Sequence, residues 1–349
     1  MKTSTKLALG ASAAAVTGVA AGAAGLAAFA LGRPSEPTNA VLIEDFDGVR
    51  TDRIVVSGDG VALHVREWGP ADGPVAVLVH GWTCNVGNFP RQVEHLVGRG
   101  YRVVTYDQRG HGSSEAGDPS RYGAGVLADD LRAVLADALG ESGGTALLVG
   151  HSMGAISIMA WAAKYPGEVA QRAHHALLVS TFADRAVPSF VRARGLGVLN
   201  RAPRVVHDLG SSVLGRPVRL RHNRLDLGIL RYAALCGYAS YGAVKYTEDM
   251  VSQCPPRIRG AWGRALVDVD VTDGLRALNV PTSVAVGQFD HLTPPVHAER
   301  MAAELRLTGY LDRFAVIRDA GHMLPIEQPE KVNNLIDAIL GKPVPAPAV

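Results

Sequence analysis

A serine set between two glycines, Gly150-His151-Ser152-Met153-Gly154, constrains this chain more than any other segment, because of what flanks it. Residues 145–149 before it form a short apolar run with strand character. Residues 155–164 after it are a good helix sequence, which Pro166 closes. A strand that hands over to a helix within so few residues needs a sharp turn. The serine then sits at the strained corner, and side chains at 150 and 154 would collide with neighbouring backbone. Such a corner also brings the first N–H groups of a helix beside the hydroxyl, where developing negative charge is stabilised. The five-residue pattern alone recurs by chance in a chain with 39 glycines; the strand before it and the helix after it argue against chance.

The surrounding pattern is one of alternation. Residues 51–56 and 61–68 alternate apolar and polar across Ser57-Gly58-Asp59-Gly60, a hairpin signal. From Pro74 onward, strands at 75–79, 102–106, 145–149, 176–181, 282–286 and 314–318 interleave with helices at 86–98, 122–139, 155–164, 295–305 and 326–340. Strands that are apolar at successive positions are buried on both faces, which means a mostly parallel sheet covered by helices on each side. The alternation pauses between about residues 182 and 278, a stretch too long for a loop. It reads as a helical lid inserted at the sheet.

The two ends of the chain are a different material. Lys2 and Lys6 precede an uncharged, alanine- and glycine-rich stretch from 7 to 32, the make-up of an export signal or membrane anchor. Ala28-Phe29-Ala30 favours cleavage, whereas the length of the stretch favours an uncleaved transmembrane helix. Either would deliver the rest of the chain outside the cytoplasm, secreted or anchored in the cell membrane. The expected division is therefore 1–32 signal or anchor, 33–50 linker, 51–183 with 263–341 as the core, 184–262 lid, and 342–349 a proline-rich tail. A net charge of +2 gives no field for nucleic acid. Ten arginines between Arg185 and Arg231 read as a solvated basic surface, with an anionic ligand or membrane contact as the alternative. Cys84, Cys236 and Cys254 lack metal-ligand spacing. In an exported chain Cys236 and Cys254 could pair; three buried thiols is the other reading.

A serine hydroxyl needs a base to become a nucleophile. His322, in Asp319-Ala320-Gly321-His322, follows the last strand and so stands at the carboxyl edge of the sheet, where open α/β folds bind ligands. Asp290 follows the preceding strand to the same edge and would hold the imidazole in its working tautomer. The chain order is Ser152, Asp290, His322. Two amides would form an oxyanion hole: that of Met153, next after the serine, and that of Trp82, in the loop after strand 75–79. His291 competes with His322, and Asp268, Asp270 and Asp273 compete with Asp290. His80, His151 and His111 read as loop supports. His174-His175 has no carboxylate spacing for a metal, so neither metal nor cofactor is expected. Tyr232, Tyr238, Tyr241 and Tyr246 read as packing, with a tyrosine facing the pocket as the alternative.

Four motifs now stand together: His80-Gly81-Trp82, Tyr106-Asp107-Gln108-Arg109-Gly110-His111-Gly112-Ser113, the turn around Ser152, and the late Asp290 and His322 segments. With them the chain resembles the α/β-hydrolase family from about residue 52 to 340. The resemblance implies an eight-stranded, mostly parallel sheet whose second strand is antiparallel, helices on both faces, and a lid after strand six. It also implies that 107–112 is a structural turn. Serine at 152 argues against the aspartate-nucleophile branches, the epoxide hydrolases and haloalkane dehalogenases. His-Gly-Trp-Thr at 80–83 fits the branch of lid-bearing esterases, C–C bond hydrolases and cofactor-free perhydrolases or haloperoxidases. The expectation is a serine hydrolase that cleaves a small-molecule or acyl ester through an acyl-enzyme. A C–C hydrolase or perhydrolase with the same triad is the alternative, and a non-catalytic binding or scaffold relative is the alternative of another class.

Overall fold

A computed structural model of the chain describes residues 46–140, 143–184 and 231–341. The expected signal or anchor, most of the linker, the tail and nearly all of the arginine-rich stretch lie outside these residues. Among the described residues, no helix is long and apolar enough to cross a membrane.

Eight strands form one sheet: β1 (Arg50–Val56), β2 (Ala62–Trp68), β3 (Val75–Val79), β4 (Arg102–Tyr106), β5 (Ala146–His151), β6 (Ala173–Val179), β7 (Thr282–Gly287) and β8 (Leu311–Ile317). Their order across the sheet is β1-β2-β4-β3-β5-β6-β7-β8. β2 runs antiparallel to both of its neighbours, and every other pairing is parallel. The alternating hairpin and the continuous apolar strands thus became the antiparallel edge and the parallel centre.

The strand side chains explain the layering. In β3, Val75, Val77 and Val79 join one apolar core while Ala76 and Leu78 join another on the opposite face. In β5, Leu148 points to the first and Leu147 and Val149 to the second. Helices α2 (Ala124–Leu139), α3 (Met153–Lys164) and α7 (Pro295–Thr308) cover the first face, with Leu127, Leu131 and Leu135 of α2 recurring at helical spacing. Helices α1 (Pro90–Gly98) and α8 (Pro329–Leu340) cover the second through Val93, Leu96, Val332 and Ile336. Each such side chain removed from water stabilises the fold by about 1.5–3 kcal/mol.

Two helices are shorter than their apolar pattern suggests. The stretch expected at 86–98 is one 3₁₀ turn, Val86–Asn88, and then α1 starting at Pro90. That expected at 326–340 is a single turn, Leu324–Glu327, and then α8 starting at Pro329. In each case proline lacks an N–H and disfavours helical backbone in the residue before it, so it opens a helix rather than continuing one.

Between β6 and β7 the described part of the long insertion holds α4 (Tyr241–Gln253), α5 (Pro256–Asp268) and α6 (Thr272–Ala277). The expected boundary at 262 lies within α5, whose Trp262 is buried, stacks on Tyr122 and donates to the Arg109 carbonyl at 3.1 Å. Cys84, Cys236 and Cys254 are free, buried thiols, so the pairing of Cys236 with Cys254 is not formed.

Candidate active site

Four non-glycine residues among those described have a left-handed backbone: Thr83 (φ 65°), Ser152 (φ 51°), Ser180 (φ 48°) and Asp319 (φ 58°). They follow β3, β5, β6 and β8, so all four lie at the carboxyl edge of the sheet. Strained backbone of this kind costs about 1–3 kcal/mol per residue and gathers at functional sites.

Ser152 sits where β5 ends and α3 begins. From Ala146 to Ala162 it is the one residue that is not fully buried. The two glycines are explained by contact. A Cβ at Gly150 would lie 2.6 Å from the Ala155 backbone, and one at Gly154 would lie 2.0 Å from the Val79 carbonyl oxygen. The second contact brings the end of β3 against the start of α3, and Gly81 beyond it comes to lie over the Ser152 Cβ. Met153 is the first residue of α3, so its N–H has no partner inside the helix.

A histidine–carboxylate pair forms on the loops that follow the neighbouring strands β7 and β8. His322 Nδ1 lies 2.9 Å from Asp290 Oδ2, with both residues buried. The remaining acceptor positions of Asp290 are filled by Leu292 N–H at 3.0 Å, Thr293 N–H at 2.7 Å and the Thr293 hydroxyl at 2.8 Å. Burial pushes the Asp290 carboxyl up, but His322 and the hydrogen bonds from His322 and Thr293 outweigh it and hold the group below its ordinary value. With Nδ1 engaged, Nε2 is the nitrogen left to exchange a proton. The elbow is tied to this pair through His151, whose Nε2–H donates to the His322 carbonyl at 2.9 Å while its ring stands 5.1 Å from that of His322. No hydrogen bond joins Ser152 to His322 among the described residues.

Three other imidazoles act as braces. His80 Nε2 accepts from Gln108 N–H at 2.9 Å, so its Nδ1–H donates to the Gly81 carbonyl at 2.7 Å. His111 Nε2 accepts from Thr83 N–H at 3.1 Å, and its other nitrogen donates to the Arg109 carbonyl. Together they grip the loop on both sides of Trp82, whose ring N–H donates to the Arg259 carbonyl on α5 at 3.1 Å. The amide of Trp82 itself has no partner among the described residues. His151 completes the set. Burial pushes all three imidazoles down, His111 and His151 to about 3, so they stay neutral braces and do not charge near neutral pH.

The turn at 107–112 is structural, as the resemblance implies. Asp107 accepts from Val86 N–H, Ser113 N–H and His64, and Gly112 packs so closely on its carboxylate that no Cβ would fit. Arg109 is held bidentately by the buried Asp130 at 2.6 and 2.7 Å.

The competing assignments separate on contacts. His291 stacks on Tyr232, centroids 4.9 Å apart, and is not the Asp290 partner. Asp270 caps Thr272 N–H and Asp273 pairs with Arg276, so neither holds His322. Tyr246 packs as expected and donates to the Gly87 carbonyl at 2.6 Å. Among the described residues no group of three or more His, Cys, Asp or Glu is placed to hold a metal. The residue that sequence reasoning missed is Thr293; Asp followed three residues on by Thr is a side-chain-to-backbone turn signal that could have found it.

A family model described as alpha/beta hydrolase fold matches residues 74–329. A bifunctional esterase/perhydrolase of Acinetobacter calcoaceticus is 27% identical over 290 residues, covering 80% of this chain and 96% of that protein. A non-heme chloroperoxidase of Streptomyces lividans is 29% identical, covering 74% of this chain and 90% of its own. Among solved structures, a thermophilic esterase from Thermogutta terrifontis superposes with a TM-score of 0.62 at 28% identity, covering 83% of this chain and 98% of that one.

Proposed function

The chain belongs to the alpha/beta hydrolase fold family, and from that premise we propose that it is a serine hydrolase acting on a carboxylic ester. The observation that carries this reading is the meeting, at one sheet edge, of Ser152 on a strained turn with the buried His322–Asp290 pair. In the proposed reaction Ser152 Oγ attacks the ester carbonyl as His322 Nε2 takes its proton. Asp290 steadies the imidazolium through Nδ1. The amides of Trp82 and Met153 receive the oxyanion. His322 returns the proton to the leaving alcohol, and an acyl group stays on Ser152. A water deprotonated by His322 then releases the acid. The Ser152–His322 hydrogen bond forms as substrate binds, since such bonds are often long before then.

Residues 184–262 are proposed to cover this site as a lid; the ties from α5 to Trp82 and Arg109 support that reading. Segment 1–32 supports a proposal of export, secreted or membrane-anchored.

A second reading is favoured by the relatives named as an esterase/perhydrolase and a chloroperoxidase: the same acyl-enzyme attacked by hydrogen peroxide instead of water, releasing a peracid. One experiment tests both. Residues 34–349 are assayed for p-nitrophenol release from acetate to long-chain esters, and for peracid formation from acetate and hydrogen peroxide, with Ser152→Ala alongside. Turnover abolished by the substitution, by about 10⁴-fold or more, is expected. Equal activity of variant and wild type on both reactions would sink the serine mechanism.

A further inference from the structure

Three stretches of backbone meet behind His322. Gln288 N–H donates to the Ile317 carbonyl and Phe289 N–H to that of Ala320, which joins the Asp290 loop to the His322 loop. The third stretch, Ala234–Cys236, returns from the long insertion. Its Ala234 carbonyl accepts the N–H groups of both His322, at 3.1 Å, and Met323, at 3.0 Å. The Cys236 thiol donates to the Asp319 carbonyl at 3.2 Å. The approach is so close that a Cβ at Gly321 would lie 2.5 Å from the Cys236 nitrogen.

Glu327 stands at this junction, at the end of the short turn that follows His322. Its carboxylate accepts Cys236 N–H at 2.7 Å and Gly321 N–H at 3.0 and 3.1 Å, one on each oxygen. One half-buried side chain therefore joins the insertion to the residue that immediately precedes His322. We propose that Glu327 is a positioning residue: by bridging Cys236 and Gly321 it sets the position of His322 against Ser152 and couples that position to the insertion. The role rests on the reading of His322 as the general base. It needs an acceptor oxygen placed, as Oε2 is, to take both N–H groups, and it does not need charge.

The full chain is compared with Glu327→Asp, Glu327→Gln and Glu327→Ala by three measurements. These are the downfield proton resonance of His322 Nδ1–H, identified by its loss in Asp290→Asn, then kcat and KM on p-nitrophenyl acetate, and Tm. Asp retracts the acceptor by one methylene and should move the resonance and lower kcat about 10-fold or more at unchanged KM, as a small misplacement of a reacting group does. Gln keeps one acceptor at the reach of Oε2, which takes both N–H groups, while its NH2 stands where Oε1 accepts from Gly321; it should move the resonance less than Asp does and lower kcat by only about threefold. Ala should behave as Asp does; if it fails to fold, the Asp and Gln pair decides. A resonance and kcat unchanged in Asp, with only Tm lowered, would overturn the proposal, as would Gln as impaired as Asp. If wild type hydrolyses no ester, the ester reading falls and the resonance alone decides the role of Glu327.

Discussion

The two halves of this site are held by different means. The Ser152 half, Gly150 to Gly154, is held inside the sheet frame: β5 runs into α3, and the glycines allow the turn to press against Ala155 and against Val79 at the end of the adjacent strand β3. The His322 half leans on the long insertion as well. His322 depends on Asp290, 32 residues back, on the Ala234 carbonyl from the insertion, and on the His151 ring from the elbow. The Ser152 turn is fixed by backbone packed against rigid neighbouring strands, with Ser152 N–H also donating to the Val179 carbonyl of β6. His322 is instead held by hydrogen bonds that several segments supply, and each can be altered separately.

This difference can be broken first on the base side. Asp290→Asn should lower kcat by about 10⁴-fold, because the amide favours the wrong imidazole tautomer while the fold stays intact; ester kinetics with circular dichroism of the variant check this. A smaller loss would mean that Thr293, 3.2 Å from His322 Nδ1, orients the ring well enough alone.

A paired glycine test sharpens the contrast. Gly154→Ala drives a methyl into the Val79 backbone and should cost about 1–3 kcal/mol or more of stability, read by urea unfolding. Gly321→Ala meets Cys236 and Leu235 instead. It should lower kcat more than it lowers Tm, because the insertion can yield where the sheet cannot. Equal stability losses in the two would erase the distinction between support from the sheet and support from the insertion.

The smallest effect is in pH. The Asp290 carboxyl is held below its unfolded value, so its contribution to stability is full above about pH 5 and is lost as pH falls through the lowered folded value. The stability gap between wild type and Asp290→Asn should therefore narrow between about pH 5 and pH 3 in thermal melts. Glu327 has the opposite sign: burial pushes it up, against the N–H groups of Cys236 and Gly321, and Asp290 adds to the rise. Its protonation on acidification favours the folded state. A gap for Asp290 that widens on acidification would contradict its pairing with His322.

Much of this arrangement was legible beforehand where spacing carries the signal. The period of apolar residues separates the antiparallel edge from the parallel centre, and the strand–turn–helix pattern puts Ser152 at a corner. His322 and Asp290 could be chosen from 12 histidines and many acids because each follows a strand to the same edge. Pro90 and Pro329 open two helices that the apolar pattern by itself would start several residues earlier. What spacing does not carry is pairing across the chain. Nothing near Glu327 announces Cys236, 91 residues earlier, as its partner. His80, His111 and His151 read as loop supports, but nothing around them says which backbone groups each one holds.

The sequence by itself determined the layers, the strand directions and the chemistry on offer at the sheet edge, because these follow from local steric rules and from the periods of burial. Only the tertiary structure decided which backbone groups His80, His111 and His151 hold, how Thr293 joins the Asp290 pair, and what anchors the His322 loop. Those outcomes depend on hydrogen bonds and desolvation between segments far apart in the chain, and these exist only once the sheet has brought them together.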